Sequence, residues 1–127
     1  MFKFIVMIKK RPDLTREEFI DYYENKHAPL LCRIMPPIGV YRRNYIQRDD
    51  SLNETIGRAG VPDFDVFTEV IFETREQADT YMSAFWDPDI HRQILQDEAN
   101  FVSGNGGLVF VVDPYESPRN SFKKGEA

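Results

Sequence analysis

The chain has a single cysteine, Cys32, so no internal disulfide can staple it. It has no apolar run approaching the roughly 20 residues needed to span a bilayer. Its N-terminus shows no signal-peptide pattern, only a strand-like Met1-Phe2-Lys3-Phe4-Ile5. Cationic excess is also missing: 16 lysines and arginines stand against 21 aspartates and glutamates, a net charge of −5. That balance speaks against nucleic acid and anionic membrane as partners. No CxxC, HExxH, GxGxxG or phosphate-loop pattern occurs, and Gly104-Asn-Gly-Gly107 reads as a turn before a strand. Two histidines at this spacing make a weak metal case. The expectation is a cytoplasmic domain with neither metal nor cofactor.

What is present in quantity is aromatic. Ten Phe, six Tyr and one Trp fall in 127 residues, with 42% hydrophobic and 29% charged side chains overall. That composition and length fit one globular domain around one core. The expected division is a domain over 1–115 and a polar C-terminal tail over 116–127.

Two periods alternate along the chain. In the first segment Phe2, Phe4, Val6 and Ile8 share one strand face, while Ile5 and Met7 share the other. Such a strand needs cover on both sides. Thr15-Arg-Glu-Glu18 fits a capping box, with Leu14 and Phe19 as a hydrophobic staple. Phe19, Tyr23, Leu30 and Ile34 then fall within a helical stripe of about 60°. Pro29 is expected to bend or break this helix, and Pro36-Pro37 to end it.

A polar second strand is expected over Val40–Arg48, central or next to the long aperiodic segment Asp49–Asp65. A third follows over Asp65–Glu73. Thr74-Arg-Glu-Gln77 repeats the capping logic and opens a helix carrying Ala78, Met82 and Phe85 on one face. Asp87-Pro88 suits the cap and first turn of another helix, expected to run to about Val102. Leu108–Val112 reads as a final buried strand. The order β-α-β-β-α(α)-β is the ferredoxin-like signature, an α+β sandwich with an antiparallel four-stranded sheet. Helices on one face leave the other bare and apolar, so a homodimer is expected with two sheets face to face.

Polar residues on apolar faces are the candidate site. His27 lies near the stripe of Phe19 and Tyr23 and should point at the sheet. It is either a half-buried histidine bonded to a carbonyl freed by Pro29, or a general acid/base. Asp97 shares a stripe with Ile90, Ile94 and Phe101. It either pairs with an arginine or caps an element, or it orients His27. Glu98 falls at the edge of that stripe, His91 reads as a boundary residue, and Cys32 as packing. Tyr41, Arg43, Asn44 and Tyr45 crowd the second strand, where Arg43 is either a solvated or interface charge or an anion-binding group. Tyr23, Tyr41, Phe85 and Trp86 are available to line a pocket.

Lys9-Lys-Arg-Pro-Asp-Leu-Thr-Arg-Glu-Glu-Phe19, Tyr22-Tyr-Glu-Asn-Lys-His-Ala-Pro-Leu30 and Tyr41-Arg-Arg-Asn-Tyr45 together resemble the EthD family. Phe85-Trp-Asp-Pro-Asp89 and Asp97-Glu-Ala-Asn-Phe101 continue the resemblance, which covers roughly residues 2–115. It implies a dimeric α+β barrel with a pocket between helices and sheet. It also implies that the histidine of the His-Ala-Pro segment is His27 and the aspartate of the Asp-Glu pair is Asp97. The family takes its name from ethyl tert-butyl ether degradation clusters, and some fungal relatives resemble decarboxylases or dehydratases of aromatic polyketides. Distant barrel relatives include muconolactone isomerases, cofactor-free monooxygenases and haem-degrading enzymes. The fold hosts several reactions and fixes none.

The leading expectation is a cofactor-free enzyme acting on a small aromatic, lactone-like or polyketide-like molecule. Its chemistry is proton transfer of the isomerase, dehydratase or decarboxylase type. His27 and Asp97 are its catalytic residues, and Tyr23, Tyr41, Arg43, Asn44, Phe85 and Trp86 its substrate contacts. The alternative is a non-catalytic carrier of a hydrophobic intermediate in oxygenative breakdown of such compounds. Haem, which needs an axial histidine, is the remote third.

Overall fold

A computed structural model describes residues 1–58, 60, 62–104 and 107–123. Strand β1 spans Phe2–Ile8, and its two apolar faces are the ones read from the alternation. Helix α1, Arg16–Tyr22, starts at Thr15, whose hydroxyl accepts from the Glu18 amide while Glu18 accepts from the Thr15 amide. Both halves of the capping box are therefore made. A π-helical turn, Tyr23–His27, joins α1 to α2, Ala28–Ile34, without a break in the axis run. Within it the Ala28 amide donates five residues back, to the Tyr23 carbonyl. Pro29 offers no amide and its ring crowds the carbonyl four residues earlier; a widened turn just before it relieves both problems. The expected bend is thus realised as one wide turn.

Strand β2, Val40–Tyr45, ends short of the expected Arg48 and lies at a sheet edge, not in its centre. The segment after it contains a short helix, α3, Leu52–Ile56, that its aperiodic sequence does not announce. Strand β3, Val66–Phe72, buries alternate residues completely. Helix α4, Arg75–Phe85, is capped by Thr74, but the Gln77 side chain reaches the Glu73 amide instead of closing a box on Thr74. Helix α5, Pro88–Glu98, has Asp87 as its cap and stops earlier than the expected Val102. The chain is taken over there by the extension of β1: the Arg11 amide donates to Phe101 and the Ser103 amide to Lys9, at 2.9 and 2.8 Å.

Strand β4, Leu108–Val112, completes an antiparallel sheet in the order β2-β3-β1-β4. Gly107 lets it begin flush against β1, because a Cβ there would overlap the Met7 carbonyl. A short 3₁₀ turn, Arg119–Ser121, follows in the tail. The last residues of the expected 116–127 tail, and Asn105 and Gly106 of the expected turn, lie outside the described residues. The architecture is α+β and ferredoxin-like, with the helices on one sheet face.

The core sits between helices and sheet. Phe19, Phe72, Phe101, Ile94, Val66 and Thr68 are its fully buried side chains, each large apolar one worth about 2 kcal/mol of burial. The other sheet face is apolar along β4 and the middle of β1, beside a polar group in which Lys3, Arg42 and Asn44 bond Glu69. Register pairs Ile5 with Phe110 and Met7 with Leu108 on that side. The expectation of a buried last strand is corrected here: Leu108 is 70% and Val111 55% exposed in the single chain. A run of apolar residues marks a strand meant to be covered, and its own chain does not cover it.

Candidate functional site

The π turn points its first and last side chains inward. Tyr23 and His27 are each only 2% exposed, and the His27 ring packs 4.8 Å from the Phe101 ring and 5.5 Å from that of Tyr23. His27 Nδ1 lies 2.8 Å from Oδ2 of Asp97, which α5 delivers from across the core. The other oxygen of Asp97 accepts a 2.7 Å hydrogen bond from the Tyr22 hydroxyl. Asn100 in turn donates to that hydroxyl at 2.9 Å. The polar chain runs Asn100, Tyr22, Asp97, His27. The carbonyl near Pro29 is not the partner of His27; Asp97 is. Nor does Asp97 pair with a sheet arginine.

Burial pulls the His27 pKa below its ordinary value, and the hydrogen bond and charge of Asp97 oppose that pull without overcoming it. The imidazole is therefore neutral at physiological pH. With an acceptor at Nδ1, the proton resides on Nδ1, and Nε2 keeps its lone pair. Asp97 fixes the tautomer and orientation of the ring.

His27 opens onto a cavity of about 680 Å³ between the helices and the sheet. Phe4, Val6 and Ile8 of β1, Val70 of β3 and Val109 of β4 form its apolar floor. Tyr23, Thr68 and Tyr41 bring hydroxyls to it; the Tyr23 hydroxyl lies 2.9 Å from Thr68 Oγ1 and 3.5 Å from that of Tyr41. Burial raises the pKa of Tyr23 and Tyr41, and that of Tyr81 is pushed up to about 12, so all three keep their protons. Phe85, Trp86 and His91 form the aromatic rim, where Trp86 stacks on His91 with centroids 4.6 Å apart. The His91 Nδ1 donates to the Phe85 carbonyl at 3.1 Å.

Of the expected contacts, Tyr23, Tyr41, Phe85 and Trp86 line this cavity together with His27. Two do not. Arg43 is gripped by both oxygens of Glu24, at 2.7 and 2.8 Å, and lies over the Tyr41 ring at 4.6 Å, behind the cavity wall. Its charge is already satisfied. Asn44 sits on the opposite sheet face, donating to the Phe67 carbonyl and to Glu69. Strand alternation puts it there, because its neighbours Arg43 and Tyr45 face the helices.

Conversely, His91 and Glu98 line the cavity although the sequence stripe placed them at its margin. His91, Leu95 and Glu98, at i, i+4 and i+7, form the cavity-lining flank of α5, beside the buried Ile94. Burial, then the charge of Asp97, pushes the Glu98 pKa up to about 7. Among the described residues no group of three or more histidine, cysteine or carboxylate side chains is arranged to hold a metal ion. No helix among them is long and apolar enough to cross a membrane.

A family model for the EthD domain matches residues 11–105, well over half of the sequence. The chain belongs to the EthD family. Solved structures agree on the fold. An EthD family protein from Bacillus halodurans C-125 superposes with a TM-score of 0.58 at 18% identity, over 91% of this chain and 100% of its own. An EthD-like protein from Ralstonia eutropha JMP134 gives 0.62 at 16% identity, over 94% and 96%. An Arabidopsis thaliana protein gives 0.58 at 13% identity, over 93% and 99%. No curated protein matches significantly in sequence. In this EthD chain the His-Ala-Pro segment and the Asp-Glu pair are the two sides of one contact, between His27 and Asp97.

Proposed function

We propose that this EthD protein is a cofactor-free enzyme that moves a proton on a small, largely apolar molecule held in the cavity. The observation that carries the reading is the 2.8 Å His27–Asp97 contact at the wall of a 680 Å³ cavity. A neutral imidazole with a carboxylate at its back is a general base whose free nitrogen is aimed by the bond it makes on the other side. The aromatic and aliphatic lining supplies affinity for a ring system without demanding one particular ring. Proton abstraction next to a carbonyl is common to isomerisation and dehydration, and the tyrosine hydroxyls are donors for the developing oxyanion.

The test is turnover of a panel of small aromatic ketones and lactones by wild-type protein and by His27→Gln. Turnover that falls by about a hundredfold in the variant, with ligand affinity kept, supports the reading. A variant that retains full turnover removes His27 from the chemistry. Ligand binding with no turnover by wild type makes the protein a carrier of hydrophobic intermediates.

The working unit we propose is a homodimer of the 1–115 domain. Leu108 and Phe110 on β4, with Ile5 and Met7 on β1, make an open apolar sheet surface that a second copy would cover with the same residues.

A further inference from the structure

Building on the assignment of His27 as base, we propose that Glu98 is a second catalytic group, the acid that binds and protonates the carbonyl oxygen of an uncharged, apolar ketone. Asp97 and Glu98 are consecutive on α5 and do different work. Asp97 turns toward His27, whereas Glu98 joins the cavity lining, and its carboxyl has no hydrogen-bond partner among the described residues. A half-buried carboxyl on an apolar wall, with nothing of the protein's own to bond, is a group awaiting a ligand's polar atom.

The charges of the cavity select the ligand. Its ionisable lining groups are His27, Tyr23, Tyr41, Tyr81, His91 and Glu98 itself. Arg43, the cation nearest by sequence expectation, is consumed by Glu24 outside the wall. A carboxylate or phosphate ligand would meet a neutral His27 and the acidic Glu98, with no lysine or arginine in the lining to offset its lost hydration. A ketone requires only one donor at its oxygen. Glu98 supplies one, because burial and the neighbouring Asp97 charge keep its proton bound up to about pH 7.

The step balances with these two groups alone. The C–H bond beside the carbonyl breaks, and its proton passes to Nε2 of His27. The electron pair left behind forms the C=C bond of an enol. The carbonyl π pair takes the Glu98 proton, leaving a carboxylate on the protein and an imidazolium beside Asp97. Return of the His27 proton to the far carbon of a conjugated enol, and of the hydroxyl proton to Glu98, completes a 1,3-shift and resets both groups. No oxidant or further reactant is needed.

The experiment uses 2-tetralone as the probe ketone and 2-naphthoate as its anionic counterpart. Calorimetry with wild-type protein should show the ketone binding at least about tenfold more tightly. Exchange of the ketone's α-protons in D₂O, followed by NMR, should exceed the solvent rate with wild type. It should fall by about a hundredfold in Glu98→Gln and in His27→Gln alike, and in wild type as the pH passes above about 7. The pH profile needs no variant, so it reads the role of Glu98 even if a substitution perturbs folding. Exchange lost in His27→Gln but retained in Glu98→Gln overturns the role of Glu98 and leaves His27 as base. Exchange retained in both, or absent from wild type with ketone bound, overturns both assignments. Failure to bind the ketone, or equal affinity for the naphthoate, overturns the ligand class.

Discussion

His27 and Asp97 stand 70 positions apart in sequence and 2.8 Å apart in space, Nδ1 to Oδ2. The contact joins the π turn to α5 across the core. It satisfies a buried polar ring that would otherwise cost about 1–3 kcal/mol to hide. It also sets the side of the ring on which a proton can be accepted.

Replacing Asp97 with Asn should lower the His27 pKa further, since Asp97 is the group that raises it against the pull of burial. An amide can also present its NH₂ to Nδ1 and so favour the wrong tautomer. NMR titration of the His27 ring protons should show the lower pKa, and proton-transfer rates should drop by about a hundredfold or more. An unchanged titration would mean that Asp97 does not govern the ring.

Glu98 and His27 should leave opposite marks on the stability–pH curve. Folding raises the Glu98 pKa from its ordinary 4.5 to about 7, so the folded state holds a proton that the unfolded state has lost. Stability linked to this group therefore declines as pH rises from about 4.5 through about 7. Glu98→Gln should remove the decline and stabilise the protein at alkaline pH by up to about 3 kcal/mol, read by urea unfolding. His27 is depressed by folding, so its contribution is lost as pH falls below its ordinary 6.5. His27→Gln should flatten the acid side of the curve only.

Trp86 is the one tryptophan of the chain, is 65% exposed, and stands at the cavity rim stacked on His91. An aromatic ligand entering the cavity should shift its emission to shorter wavelength as water leaves the indole. Emission that ignores saturating ligand would place the binding site elsewhere.

Phe110→Asp puts a charge on the open sheet face opposite Ile5 and leaves the helix-side core untouched. Sedimentation equilibrium should report a dimer for wild type and a monomer for the variant, because an unpaired buried charge costs several kcal/mol. A monomeric wild type would remove the second copy from the picture.

The local elements were legible because local rules govern them. Thr15 with Glu18, Asp87 with Pro88, and the alternation of β1 each state an element within a few residues. The approach of His27 and Asp97 to the same region was also readable, since both fall on apolar stripes. The side of α5 that faces the cavity was harder to read. A wheel anchored on Ile90 finds the buried Ile94 and the Asp97 that meets His27, but the flank beside it, His91, Leu95 and Glu98, also lines the cavity. Stripe and flank both carry apolar residues, and only tertiary packing decides how far the inward face extends. The pairing of Arg43 was not legible because its partner, Glu24, lies on another element that local pattern cannot bring near. The exposure of β4 had no local signal at all. An apolar strand reads the same whether its cover comes from its own chain or from another.

The π turn has a consequence for timing along the helix. Residues four apart overrun an α-helical turn of 3.6, so a row at that spacing drifts steadily around the axis. Tyr23, His27 and Leu31 form such a row, yet all three reach the same cavity. The wide turn between Tyr23 and His27 takes up the drift before it accumulates. It works as a leap day does in a calendar, one added unit that keeps a slightly wrong period in step. Winding the same residues as a regular α-helix would instead set Tyr23 and Leu31 about 80° apart around the axis.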